Sequence, residues 1–327
     1  MTSKNLPNYN DILSAADQIK DKAVVTPLLR CEHLSEKLSS DIYVKAECLQ
    51  RVGAFKFRGA YNRLSRLSDD EKKRGVVAYS SGNHAQGVAA SAKILGIKAI
   101  IVMPEDSPKM KLQNTKDFGA KVITYDRDNE SREKIAEKIS NEKGCVVVPS
   151  FEDFHIIAGQ GTVALEAINQ GREQGINFDL FVSPVGGGGL ISGCSIAVKR
   201  LSPNTEIYGV EPTDFNDVQR SLESGKIENN PKASGSICDA ILTVKPEPMT
   251  YEIMDENLSG VITVSDDETL VAMKYAWEKQ KLVVEPGACV ALAAVIHGKL
   301  NVKGKKICLV LSGGNVDEET FIRALST

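Results

Sequence analysis

The sequence is organised around the stretch RVGAFKFRGA at residues 51–60, in which Lys56 lies between two phenylalanines. Aromatic neighbours exclude water from an ammonium group, and this loss of hydration favours the neutral amine, which is the nucleophilic form. In the alternative interpretation, the lysine stem only crosses the aromatic rings and its ammonium group stays in water. The evidence for a reactive or a solvated lysine therefore has to come from other polar motifs along the chain.

Composition and charge restrict the class of protein. The length of 327 residues is typical of about two domains, and 42% hydrophobic with 25% charged residues is typical of a globular protein in water. A net charge of −3 gives no electrostatic signature of nucleic-acid binding. No apolar run approaches the ~20 residues of a membrane span. We therefore expect a small-molecule substrate and neither nucleic acid nor membrane as a partner.

The N-terminus and the cysteines predict a cytoplasmic protein. Residues 1–5 contain no apolar segment of the kind that secretory signals carry. The seven cysteines are an odd number without a C-x-x-C pair, which argues against both a disulfide framework and a zinc site. A reducing compartment is the simplest explanation.

Two series of short strands alternating with helices predict an α/β fold with two doubly wound lobes. The first series runs from a strand at 76–79 to one at 145–148, and the second ends with a strand at 307–311. Such alternation implies mostly parallel sheets with helices on their faces. Residues 212–258, rich in Pro, Ser and Asn, show no clear pattern.

The order of the elements also predicts the domain organisation. The strand expected at 42–46 would join the second sheet, so the smaller lobe would be an insertion in the larger one. We predict a large domain from residues 1–70 and 153–327 and a small, mobile domain from residues 71–152. The few residues after the last strand predict no appended regulatory domain.

Four consecutive glycines follow a predicted strand and open a predicted helix: Gly186, Gly187, Gly188 and Gly189. Only glycine reaches all the dihedral angles that turn successive N–H groups toward one anion, and the positive end of the helix adds to the attraction. The motif therefore predicts a phosphate site, and a merely flexible connection is the alternative.

A dinucleotide site is a second alternative for the same glycines. Gly187-x-Gly189-x-x-x-Gly193 resembles a nicotinamide fingerprint, and Glu211 ends the next strand, where a ribose acceptor would lie. A nicotinamide-dependent oxidoreductase is thus the main rival function. A non-catalytic amino-acid sensor is a further one.

Two more polar turns follow predicted strands. The turn from Ser80 to His84 precedes a helix, so its amides and hydroxyls suit a carboxylate, although an ordinary helix cap is the alternative. The turn from Ser312 to Asn315 places a hydroxyl at a strand end. A lysine, a phosphate loop, a carboxylate turn and this hydroxyl together suit pyridoxal phosphate better than a nicotinamide.

The motifs resemble, in their order and over essentially the whole chain, the serine/threonine dehydratase and serine racemase family. These are fold-type-II, tryptophan-synthase-β-like pyridoxal phosphate enzymes. The matching segments lie at residues 53–59, 80–84, 158–162, 186–190, 211–212, 285–286 and 312–317. The resemblance implies an ammonia-lyase that eliminates water from serine, threonine or 3-hydroxyaspartate, and it implies a homodimer.

The resemblance also implies roles for the cofactor-binding residues. Lys56 would attach the cofactor covalently, with Phe55 against the ring and Asn83 bonded to the ring hydroxyl. The four glycines and Leu190 would hold the phosphate. Ser312 would face the pyridine nitrogen and leave it largely unprotonated, which suits a short-lived carbanion that expels a β-hydroxyl at once.

Metal and substrate residues follow from the same resemblance. Glu211, the carbonyl of Phe215 and Asp217 would bind a cation, and such oxygen ligands suit Mg²⁺ or Ca²⁺. Arg132 would lie near the substrate end, where a second carboxylate would be its natural partner. The substrate carboxylate would lie at the turn formed by Ser80, Ser81, Gly82, Asn83 and His84.

Several residue choices favour the racemase and 3-hydroxyaspartate dehydratase branch. Ser81 stands where the racemases have serine and threonine dehydratases usually have alanine, so Lys56 and Ser81 are a candidate two-base pair for racemisation. Ala54 replaces a serine common in the lysine motif. Cys31, Glu32 and Val52 replace the hydroxyl residues of nucleotide-activated racemases, which argues against activation by ATP.

Overall fold

Two β-sheets form the framework of the protein, and strands from both ends of the chain build the larger one. The computed structural model describes residues 6–80, 82–107, 109–126, 129–232 and 234–327. The strands are β1 (Leu28–Arg30), β2 (Asp41–Ala46), β3 (Val76–Tyr79), β4 (Ala99–Pro104), β5 (Lys121–Tyr125), β6 (Val146–Val147), β7 (Leu180–Pro184), β8 (Glu206–Pro212), β9 (Gly260–Val264) and β10 (Lys306–Leu311).

Helices cover the faces of both sheets. They are α1 (Tyr9–Ile19), α2 (Glu32–Leu38), α3 (Lys56–Ser65), α4 (Asp69–Arg74), α5 (Asn83–Leu95), α6 (Lys109–Asp117), α7 (Arg132–Lys143), α8 (Phe154–Glu173), α9 (Gly189–Leu201), α10 (Asp217–Ser224), α11 (Pro248–Asn257), α12 (Asp266–Tyr275), α13 (Pro286–Ile296) and α14 (Glu318–Leu325).

The larger sheet has the strand order β1-β2-β10-β7-β8-β9, and the smaller sheet has the order β5-β4-β3-β6. β1 pairs with β2 in the antiparallel direction. In the larger sheet, β10 pairs in parallel with β2 and β7, and β8 pairs in parallel with β7 and β9. In the smaller sheet, β4 pairs in parallel with β3 and β5, and β3 pairs in parallel with β6. The predicted α/β class with mostly parallel sheets is confirmed.

The pairing of β2 with β10 makes the smaller sheet an insertion. Asp41 lies opposite Lys306, and the parallel register continues to Ala46 opposite Leu311. Because β10 also pairs with β7, the chain leaves the larger sheet after β2, builds the smaller sheet and then returns. The insertion of the smaller lobe is therefore confirmed, and the exact domain boundaries and the mobility of the small domain stay predictions.

Residues 212–258, which show no pattern in the sequence, include the α-helices α10 and α11. The start of α11 is stabilised by Glu152, whose carboxylate accepts hydrogen bonds from the backbone N–H groups of Met249 (2.7 Å) and Thr250 (3.2 Å). An acidic side chain at a helix N-terminus compensates the positive end of the helix dipole. This partner lies nearly a hundred positions earlier in the chain, so local sequence does not reveal it.

The helix α13 forms the centre of the core. Its residues from Pro286 to Val295 are all buried. A helix that is apolar on every side is stable only when other elements surround it, and α13 packs against β7, β8, β9 and β10 of the larger sheet. Although α13 is apolar, none of the helices in the described ranges has both the length and the apolar character that a membrane span requires.

A cluster of buried charges joins α3 to the larger sheet and to α8. Arg58 donates to Glu47 at 2.8 Å and to Glu166 at 2.7 Å. Lys45, on β2, donates to the second oxygen of Glu166 at 2.7 Å. Two cations and two carboxylates balance each other, and the side chains of Arg58, Glu47 and Lys45 are fully buried. The cluster therefore fixes α3 immediately after Lys56.

Replacing Arg58 by alanine should destabilise the fold strongly, because it leaves the buried carboxylate of Glu47 and the half-buried carboxylate of Glu166 with one cation fewer. Breaking a buried ion pair on one side costs about 3–5 kcal/mol in the free energy of unfolding. Unfolding in urea measures this loss. Arg30→Ala, which removes an exposed pair with Asp41, is the matched control and should have a far smaller effect. Equal effects of the two substitutions would contradict a structural role for the cluster.

Candidate active site

A single cavity between the two sheets collects nearly all the residues that the motifs predicted. The predicted residues that line it are Phe55, Lys56, Ser80, Gly82, Asn83, His84, Arg132, Gly186, Gly187, Gly188, Gly189, Leu190 and Ser312. Ser81 lies outside the described residues. Because β3, β7 and β10 all end at this cavity, it has the position typical of sites in open α/β sheets, beyond the carboxyl ends of the strands.

Lys56 is positioned by the strand end opposite it. Ala54 forms an isolated antiparallel bridge with Gly313, and the N–H of Phe55 donates to the carbonyl of Ser312 at 3.0 Å. This pairing places the first residue of α3 beside the end of β10. The predicted proximity of the lysine and the Ser312 hydroxyl turn therefore results from backbone hydrogen bonds.

The amine of Lys56 lies inside the cavity. It donates to the carbonyl oxygen of Ser150 at 2.8 Å and lies 5.2 Å from the centre of the Phe55 ring. The whole side chain is half-buried because it lines the cavity, but burial of the amine lowers its pKa to about 8. About one molecule in ten then carries a neutral amine at pH 7. The burial and contacts of the amine therefore favour the desolvated lysine over the solvated alternative.

The glycine loop has the shape of an anion site. The loop connects β7 to α9, and Gly188 has a left-handed φ of +88°. A Cβ atom at Gly187 would lie 2.3 Å from the ring of Phe151. A side chain is therefore excluded there. The first N–H groups of α9 have no acceptor within the helix and are available to a bound phosphate. The loop fits the phosphate of the implied cofactor.

The nicotinamide interpretation does not fit this geometry. A Cβ atom at Gly193 would lie 2.2 Å from the carbonyl oxygen of Ile157, so this glycine allows α8 and α9 to pack closely. Glu211 is buried and accepts hydrogen bonds from the N–H groups of Val218 (3.1 Å) and Gln219 (2.9 Å). Close packing at Gly193 is compatible with the fingerprint, whose third glycine has that role, but Glu211 is not available to a ribose hydroxyl.

Asn83 and Glu285 form the wall of the cavity next to Ser312. The amide nitrogen of Asn83 donates to Oε1 of Glu285 at 2.6 Å, and Asn315 donates to the amide oxygen of Asn83 at 2.7 Å. Burial raises the pKa of Glu285 to about 7, against the opposing charge of Lys111. Glu285 belongs to a recognised motif, but its sequence neighbours give no indication that it contacts Asn83.

His84 is a neutral residue of the same wall. Its Nε2 lies 3.0 Å from the carbonyl oxygen of Val148, and burial lowers its pKa to about 3. A carbonyl oxygen can only accept, so Nε2 carries the proton. His84 is therefore fixed as an uncharged imidazole that cannot serve as the cationic partner of a substrate carboxylate.

Two cationic side chains reach the cavity from the smaller sheet. Arg132 donates to Glu133 at 2.8 Å, and its guanidinium carbon lies 5.6 Å from the centre of the Tyr79 ring. Lys111 is paired at 2.7 Å with Asp239, which also lines the cavity. Sequence reasoning missed Lys111, Asp239 and the Ser150–Phe151 segment, because nothing in their local sequence indicates the distant residues they contact.

The predicted metal ligands lie together but away from the cavity. Asp217 and Glu211 are both buried, and burial together with the charge of Asp217 raises the pKa of Glu211. Burial raises the pKa of Asp217 to about 7. Its Oδ1 accepts from Asn230 at 2.5 Å, and its Oδ2 has no hydrogen-bond partner among the described residues. A pair of buried carboxylates with an unpartnered oxygen fits a hard cation.

No group of three or more His, Cys, Asp or Glu side chains suited to a metal occurs in the described part of the chain. A cation at Glu211 and Asp217 would therefore need backbone carbonyls or water to complete its coordination. Phe215, whose carbonyl was the predicted third ligand, lies between the two acids in the sequence, and it is buried in the structure. Its role as a ligand stays a prediction.

Comparisons with known proteins agree with this chemistry. Residues 19–313 match the family described as "Pyridoxal-phosphate dependent enzyme". The chain is 44% identical to the L-threo-3-hydroxyaspartate ammonia-lyase of Saccharomyces cerevisiae, with 98% of this chain and 97% of that protein covered. It is 43% identical to a serine racemase of Schizosaccharomyces pombe, with 98% of both covered. It is also similar to a crystal structure of threonine deaminase from T.th., with a TM-score of 0.90, 39% identity, and 95% and 99% of the two chains covered.

Proposed function

The chain belongs to the family of pyridoxal-phosphate-dependent enzymes, and from this premise we propose that it is an ammonia-lyase for a small hydroxy amino acid. The reaction removes water from the substrate and gives a 2-oxo acid and ammonia, and racemisation of serine accompanies it. The observation that carries the proposal is the desolvated amine of Lys56, which lies in one cavity with the glycine loop and Ser312.

Different residues of the cavity would hold different parts of the cofactor. Lys56 would bind its aldehyde carbon, Phe55 would pack against its ring, and Asn83 would bond to its ring oxygen. The amides of Gly186 to Leu190 would hold its phosphate. When bound, pyridoxal phosphate supplies an electron-accepting ring that stabilises a carbanion at the substrate α-carbon.

Lys56 would act as the base that removes the α-carbon proton. Its amine is partly neutral at pH 7 and can take the proton from the α-carbon, since the lowered pKa lies near the working pH. The electron pair left on the α-carbon forms the new double bond, and the β-hydroxyl leaves as water after it gains a proton. Hydrolysis of the unsaturated amine then gives the 2-oxo acid and ammonia.

The substrate we favour carries a second carboxylate, as 3-hydroxyaspartate does. Arg132 lines the cavity and its side chain is 45% exposed, so it is accessible from the cavity. Arg132 is paired with its neighbour Glu133, but this pair is exposed. Lys111, in contrast, is paired with Asp239, and its side chain is only 5% exposed. A guanidinium group binds a carboxylate through two parallel hydrogen bonds. Arg132 is therefore the residue we assign to the far carboxylate.

Ammonia release from serine, threonine and 3-hydroxyaspartate, each in both configurations, tests the proposed reaction. We expect turnover with at least one of them and the highest rate with 3-hydroxyaspartate. Lys56→Ala should lower the rate by about 10²–10⁴-fold or more, because it removes the base. Lys73→Ala, at an exposed lysine, is the control and should have no effect. Turnover that survives Lys56→Ala would refute the assignment.

Ser81 is the residue we propose as the second base of racemisation. Its neighbours Ser80 and Gly82 line the cavity. Ser81→Ala should remove interconversion of L- and D-serine and leave elimination from the L-substrate within a few fold of the original rate. Chiral chromatography of the products measures both reactions. Racemisation that continues unchanged in the variant would exclude Ser81 as a base.

Glu211, Asp217 and the carbonyl of Phe215 are the ligands we propose for Mg²⁺ or Ca²⁺. A cation that binds only the folded state stabilises it by about 2.7 kcal/mol at a hundredfold excess over Kd. Mg²⁺ should therefore raise the unfolding temperature, and Asp217→Asn should abolish this rise. Glu206→Gln, at the exposed start of β8, should retain it. No response of the unaltered protein to either cation would argue against the site.

We also propose a cytoplasmic homodimer. All seven cysteines are buried and unpaired, as suits a reducing compartment. Trp277 and Val283 are 43% and 47% exposed and line one shallow surface pocket. Large aromatic side chains at a protein surface are typical of interfaces, and a second copy of the chain is the partner we assign to this one.

A further inference from the structure

Two asparagines and a glutamate in the cavity wall form a chain of hydrogen bonds whose direction is determined at one end. The side-chain nitrogen of Asn315 lies 2.7 Å from the carbonyl oxygen of Val52. A backbone carbonyl can only accept, so the amide group of Asn315 has one possible orientation. The second N–H of the same nitrogen then points to Asn83, at 2.7 Å from its Oδ1.

This orientation determines that of Asn83 in turn. Since Oδ1 of Asn83 is the acceptor for Asn315, its Nδ2 is the atom that faces Glu285. The distance of 2.6 Å between Nδ2 and Oε1 of Glu285 agrees with a donor facing a carboxyl oxygen. One N–H of Asn83 is used in this bond, and the other has no partner among the described residues. Asn83 lines the cavity, so this N–H is a free donor of the wall, beside the unpartnered Oε2 of Glu285 and Nδ1 of His84.

We propose that Asn315 and Glu285 are positioning residues that hold Asn83 as a hydrogen-bond donor, so that the cavity selects a ring carrying an acceptor oxygen at that point. The inference rests on the proposed function, which assigns Asn83 to the ring oxygen of the cofactor. It adds that the oxygen is recognised as an acceptor, and an ionised oxygen accepts more strongly than a neutral hydroxyl. Asn315 is not among the residues that line the cavity, and Glu285, which lines it, acts through its bond to Asn83.

The position of the chain of bonds supports a role beyond local packing. It starts at Val52, which has a left-handed φ of 58° three positions before the cofactor-facing Phe55. It crosses to Asn83 at the start of α5 and ends at Glu285, at the N-terminus of α13. The bonds thus connect the lysine segment, the smaller sheet and the core helix around one wall of the cavity.

The test compares two ligands for the full chain stripped of cofactor: pyridoxal phosphate and its 3-deoxy analogue, which lacks the ring oxygen. Equilibrium dialysis measures both dissociation constants. The unaltered protein should prefer pyridoxal phosphate by about tenfold, as one hydrogen bond to a buried donor allows. Asn315→Asp removes both donors without changing size, and Glu285→Leu removes the acceptor. Both variants should reduce the preference to within about twofold.

The ratio of the two constants separates positioning from general damage, because a purely structural defect weakens both ligands alike. Asn62→Asp is the matched control: Asn62 is also buried and donates to a backbone carbonyl, that of His155, at 2.7 Å. It should leave the preference intact. Asn315→Leu gives the same test if Asn315→Asp does not fold.

The inference and the proposed function fail in different ways. If the unaltered protein binds neither ligand, the proposed function is wrong. If it prefers pyridoxal phosphate and this preference survives in the Asn315 and Glu285 variants, the cofactor assignment stands and the positioning role is overturned.

Discussion

The parallel pairing of β2 with β10 is the constraint on which the rest of the structure depends. It joins residues 41–46 to residues 306–311 and thereby places the segments that follow the two strands side by side. The bridge between Ala54 and Gly313 extends this alignment beyond the strand ends. Lys56 and Ser312, which are more than 250 positions apart in the sequence, are neighbours in the cavity for this reason. A sheet that paired differently would not bring Lys56 and Ser312 together.

Electrostatics distinguishes the reactive lysine from the structural cations around it. Arg58 is buried, and although burial opposes its charge, Glu47 and Glu166 raise the pKa of its guanidinium group. No acidic side chain of the described residues forms an ion pair with Lys56, and its amine faces only a carbonyl and an aromatic ring. Burial without a counter-charge disfavours the ammonium form. Arg58, which stays charged, therefore lies only two positions after Lys56, whose amine can lose its proton.

Local sequence predicted those features that depend on local geometry. The desolvated lysine, the four glycines after β7 and the βαβ alternation each follow from residues close together in the chain, and all were found where expected. The contacts of Glu285, Lys111 and Glu152 were not predicted, because their partners are about 100–200 positions away. A buried carboxylate becomes recognisable only when the fold has brought a donor to it.

Chemical reduction of the loaded protein shows whether the cofactor is attached to Lys56. The protein would be saturated with pyridoxal phosphate, reduced with borohydride and digested, and the modified peptide would be identified by mass spectrometry. We expect a stable modification on Lys56 and on no other lysine in stoichiometric amount. Stoichiometric modification of a different lysine, or none at all after saturation, would contradict this attachment.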